Sequence, residues 1–350
     1  MRQFHPLLFA MIEADPTPII AAAIARLADQ RGPMKRTSSS IRFGSKGSFW
    51  IDTTTGGWHD FETQAGGGSW MLAHYVGLSD QDIARLYGVD LNDGHADPGQ
   101  LRQLWIDADR RRQAHETDTA RRRRHRHDEA ERLHGEATPA GPGDPASRYL
   151  VARGITGLAG IRYHQGPTIT TREGRSMRLA PSVMFPVTDG SGGLCAVHCV
   201  QIDPDTDRRL SDARAKISIG SLTEGYVRLG PRSHVVCLGE GAETVASVHQ
   251  VLPHWRCLAS CSSIRLVEAD RELRDAASIV LLAERGMEEN VRELGARIAA
   301  VLTSAVLYIA FVPKAVSGEK ADMNDVLQVS PALVRHALSC NQLERIDAVA

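Results

Sequence analysis

The 350-residue sequence is poor in cysteine and in aromatic residues, and it has almost no net charge. Its six cysteines are Cys195, Cys199, Cys237, Cys257, Cys261 and Cys340, so the first half of the chain has none. They lie mostly in apolar runs, which fits reduced thiols better than a disulfide framework and leads us to expect a cytoplasmic location. No run approaches about 18 consecutive apolar residues, so neither a transmembrane helix nor a membrane partner is expected. The apolar stretch near the start is interrupted by Glu13, Asp15, Pro16 and Pro18, and no basic segment leads into a cleavable apolar core; secretion is not expected. The G-x-x-x-x-G-K-[ST] pattern is absent, so any helicase would be a separate chain. A formal charge of −1, from 41 basic and 42 acidic residues, gives no bulk attraction to any partner.

The composition, 42% hydrophobic and 24% charged, is that of a soluble globular chain. At about 100–200 residues per domain it holds two or three domains. Charge is unevenly placed. Residues 1–50 carry seven Lys/Arg against three Asp/Glu, and residues 51–100 carry only Arg85 against eight acids. Lys35, Arg36, Arg42 and Lys46 form a basic edge that is either a solvated face or a phosphate contact.

A helix is predicted over 6–30, with a start signal at Asp15, Thr17 and Pro18 and an apolar stripe of Ile19, Ile20, Ala23, Ile24 and Leu27. Short strands follow at Ser40–Phe43, Ser48–Asp52 and Gly57–Phe61, separated by glycine-rich turns. Gly66–Gly68 reads as a turn, since the lysine of a phosphate cradle is missing. Helices are predicted over Trp70–Val76 and Asp80–Leu86, the second capped by Ser79. Residues 100–136 read as one long exposed helix, in which ten Arg face eight Asp/Glu. Its run Arg121, Arg122, Arg123 and Arg124 is either a solvated spacer or a nucleic-acid contact.

After Asp144–Pro145 comes a short helix ending at Gly154. Strands at Val183–Val187, Leu194–Ile202, Lys216–Ile219 and Tyr226–Leu229 make a β-rich middle module. From His234 strands alternate with helices: strands Val235–Leu238, Trp255–Ala259, Ser278–Ala283 and Ala305–Val312, helices Ala242–Val251, Ser263–Leu273 and Glu288–Val301. That spacing predicts a parallel sheet. The fold class is therefore α/β overall: a C-terminal parallel α/β sheet, preceded by a β-rich middle module and a small α+β N-terminal module.

Acidic residues follow the apolar strands of the last module: Glu240 and Glu243, then Glu284, then Asp322 and Asp325. Function in open parallel sheets collects at the carboxyl ends of strands. Carboxylates meeting there suit Mg2+, which takes hard oxygen ligands and also holds phosphate. Asp322 and Asp325 serve equally well as helix caps. Zinc is not expected at Cys195 and Cys199, because four residues along a strand span roughly 13 Å. His74 and His198 read as packed or surface residues.

Residues 234–328 resemble a Toprim domain, the metal-dependent module of bacterial primases, topoisomerases and some nucleases. The similarity is closest to the Toprim-containing primase-like proteins of phages and plasmids. It rests on Val235–Thr244 (VVCLGEGAET), Ile279–Glu284 (IVLLAE) and Lys320–Leu327 (KADMNDVL). The resemblance implies Glu240 as general acid/base, and Glu284, Asp322 and Asp325 as metal ligands with support from Glu243 and Glu288. The family's Asp-x-Asp pair reads Glu284–Arg285–Gly286 here, so one carboxylate is replaced and the other is missing; an acid reinstated at Gly286 is expected to tighten metal binding. Residues 41–77 resemble the primase zinc ribbon without its cysteines, held instead by Phe43, Phe49, Trp50, Trp58 and Phe61. The segment from Tyr149 to Gly220 resembles the middle domain of the same proteins.

The implied organisation is an N-terminal helix (1–30), a zinc-ribbon-like module lacking zinc ligands (31–90), an Arg-rich helical linker (91–145), a β-rich primase-like module (146–232), a Toprim domain (233–330) and a C-terminal helix or tail (331–350). The implied function is Mg2+-dependent nucleotidyl transfer, with Mn2+ as the alternative ion and no zinc. The partners would be single-stranded or forked DNA, nucleotides and a separate replicative helicase. The alternatives are a catalytically degenerate nucleic-acid-binding protein and a metal-dependent nuclease.

Overall fold

The computed structural model describes residues 6–32, 34–37, 40–44, 47–63, 65–91, 97–171, 174–211, 215–262, 273–302 and 304–346. Helix and sheet are mixed throughout, and the chain divides into two compact units, Met1–Arg122 and Arg123–Ala350. Lys46 and nearly all of the helix predicted at Ser263–Leu273 lie outside the described residues.

The N-terminal unit opens with α1 (Pro6–Ala14) and α2 (Thr17–Arg31). They are two helices bent by 81°, where the sequence suggested one. The break falls at Asp15–Pro16: proline lacks the N–H that a continuing helix needs, and the Asp15 side chain accepts from Thr17 N–H at 3.0 Å. Five strands follow as an antiparallel sheet in sequential order: β1 (Met34–Arg36), β2 (Ser40–Phe43), β3 (Phe49–Asp52), β4 (Trp58–Asp60) and β5 (Ala65–Gly67). The glycines read as a turn thus form an edge strand. Close approach explains it, since a Cβ on Gly66 would meet the Trp58 carbonyl oxygen at 2.9 Å. Helices α3 (Ser69–Tyr75) and α4 (Asp80–Tyr87) complete the unit, with Ser79 and Asp82 forming a capping box on α4.

Alternation along these strands decides what is inside. Ile41, Phe43, Phe49, Ile51 and Trp58 are buried against Leu8, Ile19, Leu27, Leu72 and Ile83. Trp50 is only partly buried and Phe61 is 49% exposed, so these two do not hold the core as expected. They fall out of phase with the buried residues. Asp60 is fully buried beneath the sheet, held by Arg31 at 2.6 Å and by the Tyr75 hydroxyl at 2.5 Å.

Helix α5 (Pro98–Glu136) runs 39 residues, close to the predicted span, and the division between the units falls inside it. No single helix among the described residues is long and apolar enough to cross a membrane.

The C-terminal unit continues with β6 (Thr138–Pro139), α6 (Pro145–Ala152, capped by Asp144), β7 (Arg162–His164), and the hairpin β8 (Thr168–Thr170) and β9 (Ser176–Arg178). Then come β10 (Ser182–Thr188), β11 (Leu194–Asp203), β12 (Arg208–Arg209), β13 (Lys216–Gly220) and β14 (Val227–Leu229). The middle sheet has the order β12-β11-β10-β7-β6, with β13 also paired to β11. Ala130 and Leu133, near the end of α5, pack on one side of it with Met184, Val197 and Ile219.

The last elements are β15 (Val235–Gly239), α7 (Ala242–Val251), β16 (Arg256–Ala259), β17 (Ser278–Ala283), α8 (Glu288–Val301), β18 (Val306–Phe311), α9 (Met323–Val329), α10 (Pro331–Ala337) and β19 (Glu344–Ile346). Their sheet has the order β14-β16-β15-β17-β18-β19. The four inner strands are parallel and the two edges antiparallel. Two strands depart from the sequence reading. β14 pairs with β16 in this sheet although its sequence reads with the middle module, and residues read as a C-terminal helix or tail include β19, which closes the far edge. Pairing partners so distant in sequence leave no local signal.

Candidate active site and nucleic-acid interface

The order of the inner strands fixes where a site can form. From β15 the chain steps one way to β16, then crosses back to β17 and β18 on the other side. The strand order therefore reverses between β15 and β17, and in open α/β sheets the ligand crevice lies at such a point, beyond the carboxyl ends of the strands. Glu240 directly follows β15 and Glu284 directly follows β17, so the two carboxylates flank this crevice.

Glu240 keeps contact with solvent, yet desolvation by the surrounding protein raises its carboxyl above the ordinary range, partly offset by Lys216. Glu284 is half-buried. Burial raises its carboxyl, and the negative charges of Glu240, Asp322 and Asp325 raise it further against the pull of Lys216. The other three sequence-predicted acids are thus close enough to act on Glu284. Lys216, at the start of β13, brings a cation to them from the middle sheet.

Asp322 is the N-cap of α9. Its Oδ1 accepts from the N–H groups of Asn324 at 2.7 Å and Asp325 at 3.1 Å, and its Oδ2 accepts from the Thr244 hydroxyl at 2.7 Å. Asp325 returns the capping box by accepting from Asp322 N–H at 2.9 Å. Both aspartates therefore cap the helix while facing the crevice charge. The Glu288 carboxylate accepts from the N–H groups of Gly286 and its own residue at the start of α8.

Glu243 is occupied elsewhere. It is 2% exposed, and the Lys216 ammonium approaches it to 2.7 Å, Arg153 to 3.5 Å and Arg209 to 3.9 Å, while the Tyr149 hydroxyl donates to it. Burial alone would raise its carboxyl; Lys216, Tyr149 and Arg153 together bring it below the ordinary range. It acts as an internal counter-ion that fixes Lys216. Sequence reasoning missed Lys216, Arg153 and Tyr149, because nothing local to the middle module pairs them with Glu243, which lies 27 residues beyond Lys216 and 94 beyond Tyr149. His198 is buried beside Lys216 with Nδ1 2.8 Å from the Ser218 hydroxyl, and burial pushes its pKa down to about 4.

Mg2+ fits this donor set in one mode only. The oxygens are hard and the local charge is negative, as Mg2+ requires. Among the described residues, however, no three His, Cys, Asp or Glu side chains converge on one metal position. An ion here would rest on one or two carboxylates and complete its shell with water and phosphate. Gly286, where the resemblance places a second acid, has φ of +84°. An aspartate there would be strained by about 1–2 kcal/mol, which works against reinstating that carboxylate.

The N-terminal unit presents a different surface. Register places Lys35, Arg42, Trp50 and His59 side by side across β1 to β4, on the face opposite the core. Phe61 lies at 4.6 Å from the His59 ring, with the Arg42 guanidinium 5.5 Å from its centroid. Arg36 pairs with Ile41, one step out of this row, and so belongs to the other face. In the long helix, Arg121 and Arg122 both pair with Asp118, at 2.8 and 2.6 Å, and Arg123 with Glu224 at 2.5 Å; Arg124 is exposed.

A family model described as a domain of unknown function, DUF7146, matches residues 124–229. No curated protein matches the chain. Among solved structures, the catalytic domain of a DnaG primase bound to single-stranded DNA is similar at 14% identity and TM-score 0.49, over 65% of this chain and 81% of that one. The zinc-binding and RNA polymerase domains of the Aquifex aeolicus primase are similar at 11% identity and TM-score 0.46, over 95% and 86%. A DNA primase domain from Pseudomonas aeruginosa is similar at 15% identity and TM-score 0.43, over 59% and 74%.

Proposed function

We propose that this chain is a primase-like DNA replication protein of a mobile element, which binds single-stranded DNA and carries out Mg2+-assisted nucleotidyl transfer to make primers. The observation that carries the reading is the pair Glu240 and Glu284 flanking the switch-point crevice, with Asp322 and Lys216 beside them. The Toprim-like run from Val235 to Leu327 supports it.

Glu240 takes the proton of the attacking hydroxyl as its oxygen bonds to the α-phosphorus and the bond to pyrophosphate breaks, then passes that proton to the departing pyrophosphate or to water; a carboxyl raised above its ordinary range is the stronger base for this. Glu284 and Asp322 would hold the ion, which when bound neutralises charge on nucleotide phosphates. Lys216 supplies a further positive point to the same phosphates, held in place by Glu243. The single strand lies along the N-terminal sheet, its bases stacked on Trp50 and Phe61 and its phosphates near Lys35 and Arg42. Unwinding falls to a separate helicase.

A second reading, a binding protein without catalysis, is favoured by the capping roles of Asp322 and Asp325 and by Arg285–Gly286. One experiment separates them. The full chain is given single-stranded template, nucleotides and Mg2+ or Mn2+. Primer synthesis is expected, falling at least about 100-fold in Glu240→Gln with template affinity unchanged. Binding without product in either ion gives the second reading, and template cleavage gives a nuclease.

A further inference from the structure

Arg285 stands between two positions where the resemblance places carboxylates, so a cation there looks adverse to the site. Its contacts say otherwise. Nη1 donates to the carbonyls of Val316 at 2.6 Å and Gly318 at 2.9 Å, and Nη2 donates to that of Pro313 at 2.9 Å. Its backbone N–H donates to the Ala321 carbonyl at 2.9 Å. All four acceptors lie on the connection between β18 and α9, which contains no strand or helix of its own and ends at Asp322. Val316 and Ala321 are buried along it. One residue, immediately after Glu284, therefore ties down the segment that delivers Asp322 and Asp325 to the crevice. A planar guanidinium can serve three carbonyls at fixed angles, and a lysine ammonium cannot reproduce that fork.

We infer that Arg285 is a positioning residue that assembles the acidic centre before any ion arrives, by clasping the β18–α9 connection to the end of β17. Its charge is directed at backbone carbonyls. The consequence for metal binding rests on the function proposed above; the clasp itself does not.

The test uses the full-length chain in the forms Arg285→Ala and Arg285→Lys. Amide hydrogen exchange over residues 318–326 is expected to rise at least tenfold in both variants, with β17 and β18 unchanged. Millimolar guanidinium ion should restore protection in Arg285→Ala but not in Arg285→Lys. Mn2+ titration followed by its electron paramagnetic signal should show affinity weakened three- to tenfold in Arg285→Ala and recovered with guanidinium. Unchanged exchange in Arg285→Ala overturns the inference, as does loss without guanidinium rescue. Wild-type protein that fails to bind Mn2+ counts against the proposed function instead, and exchange then decides the clasp alone.

Discussion

Asp60 in the N-terminal unit and Glu284 in the C-terminal unit are both withdrawn from bulk water, with opposite consequences. Burial raises the carboxyl of Asp60, but the Tyr75 hydroxyl, the Glu62 N–H and Arg31 bring it down to about 2. No such donor to Glu284 is found among the described residues; burial and neighbouring acids drive it upward. A buried carboxylate met by hydrogen-bond donors is held ionised, and one set among like charges keeps its proton to higher pH. The N-terminal unit thus sets its buried acid among hydrogen-bond donors, while the C-terminal unit sets Glu284 among other acids.

The largest expected effect breaks the first half of this contrast. Asp60→Ala removes the partner of Arg31 and Tyr75 inside the unit and should cost about 3 kcal/mol of stability, read by urea unfolding of Trp58 fluorescence. Because the folded carboxyl is depressed below 3.8, its contribution is present above that value and lost as pH falls toward about 2. The wild-type curve should not move in EDTA. A zinc-dependent transition, or a loss below about 1 kcal/mol, would show that Asp60 does not hold the unit together.

The next effect concerns the exposed row. Trp50→Ala should weaken binding to a single-stranded oligonucleotide by about 1–2 kcal/mol, through loss of one stacking partner. Joint replacement of Lys35 and Arg42 should flatten the dependence of log Kd on log salt. Arg121→Ala should change that slope less, since Arg121 shares the Asp118 carboxylate with Arg122. Equal slopes for all these variants would mean that the sheet face does not touch the strand.

Local signals were readable where one segment decides its own structure. β2, β17 and α8 fall on their predicted bounds, and Ser79 caps α4 through a spacing of three residues. The outward placement of Trp50 was also available, since Phe49 and Ile51 are its immediate apolar neighbours and a strand alternates. Glu240 and Glu284 could be seen because each directly follows an apolar strand. What the sequence concealed depends on contacts across long loops. The Lys216–Glu243 pair, the Arg285 clasp, and the pairing of β14 with β16 and of β19 with β18 all join residues whose own neighbourhoods look ordinary. The capping role that the structure gives Asp322 could not be told in the sequence from a metal ligand's, because both call for the same residue in the same place.

The smallest effect probes the other half of the contrast. The folded-state carboxyl of Glu284 lies above its ordinary 4.5, so the native protein keeps that proton to higher pH than the unfolded chain does. Stability must then fall as pH rises through the interval between the two values. Glu284→Gln removes the ionisable group and with it this penalty. The variant should melt about 1–3 °C higher than wild type at pH 7–8, an advantage that disappears below pH 4.5. Its primer synthesis and Mn2+ affinity should fall at the same time, the exchange of stability for function expected where acids are gathered without partners. Asp60→Ala has the opposite sign in the same pH range. A Glu284→Gln protein less stable than wild type at pH 8 would show that Lys216 already neutralises Glu284 in the fold, and the crevice would then be a finished ionic network with no demand left for an added cation.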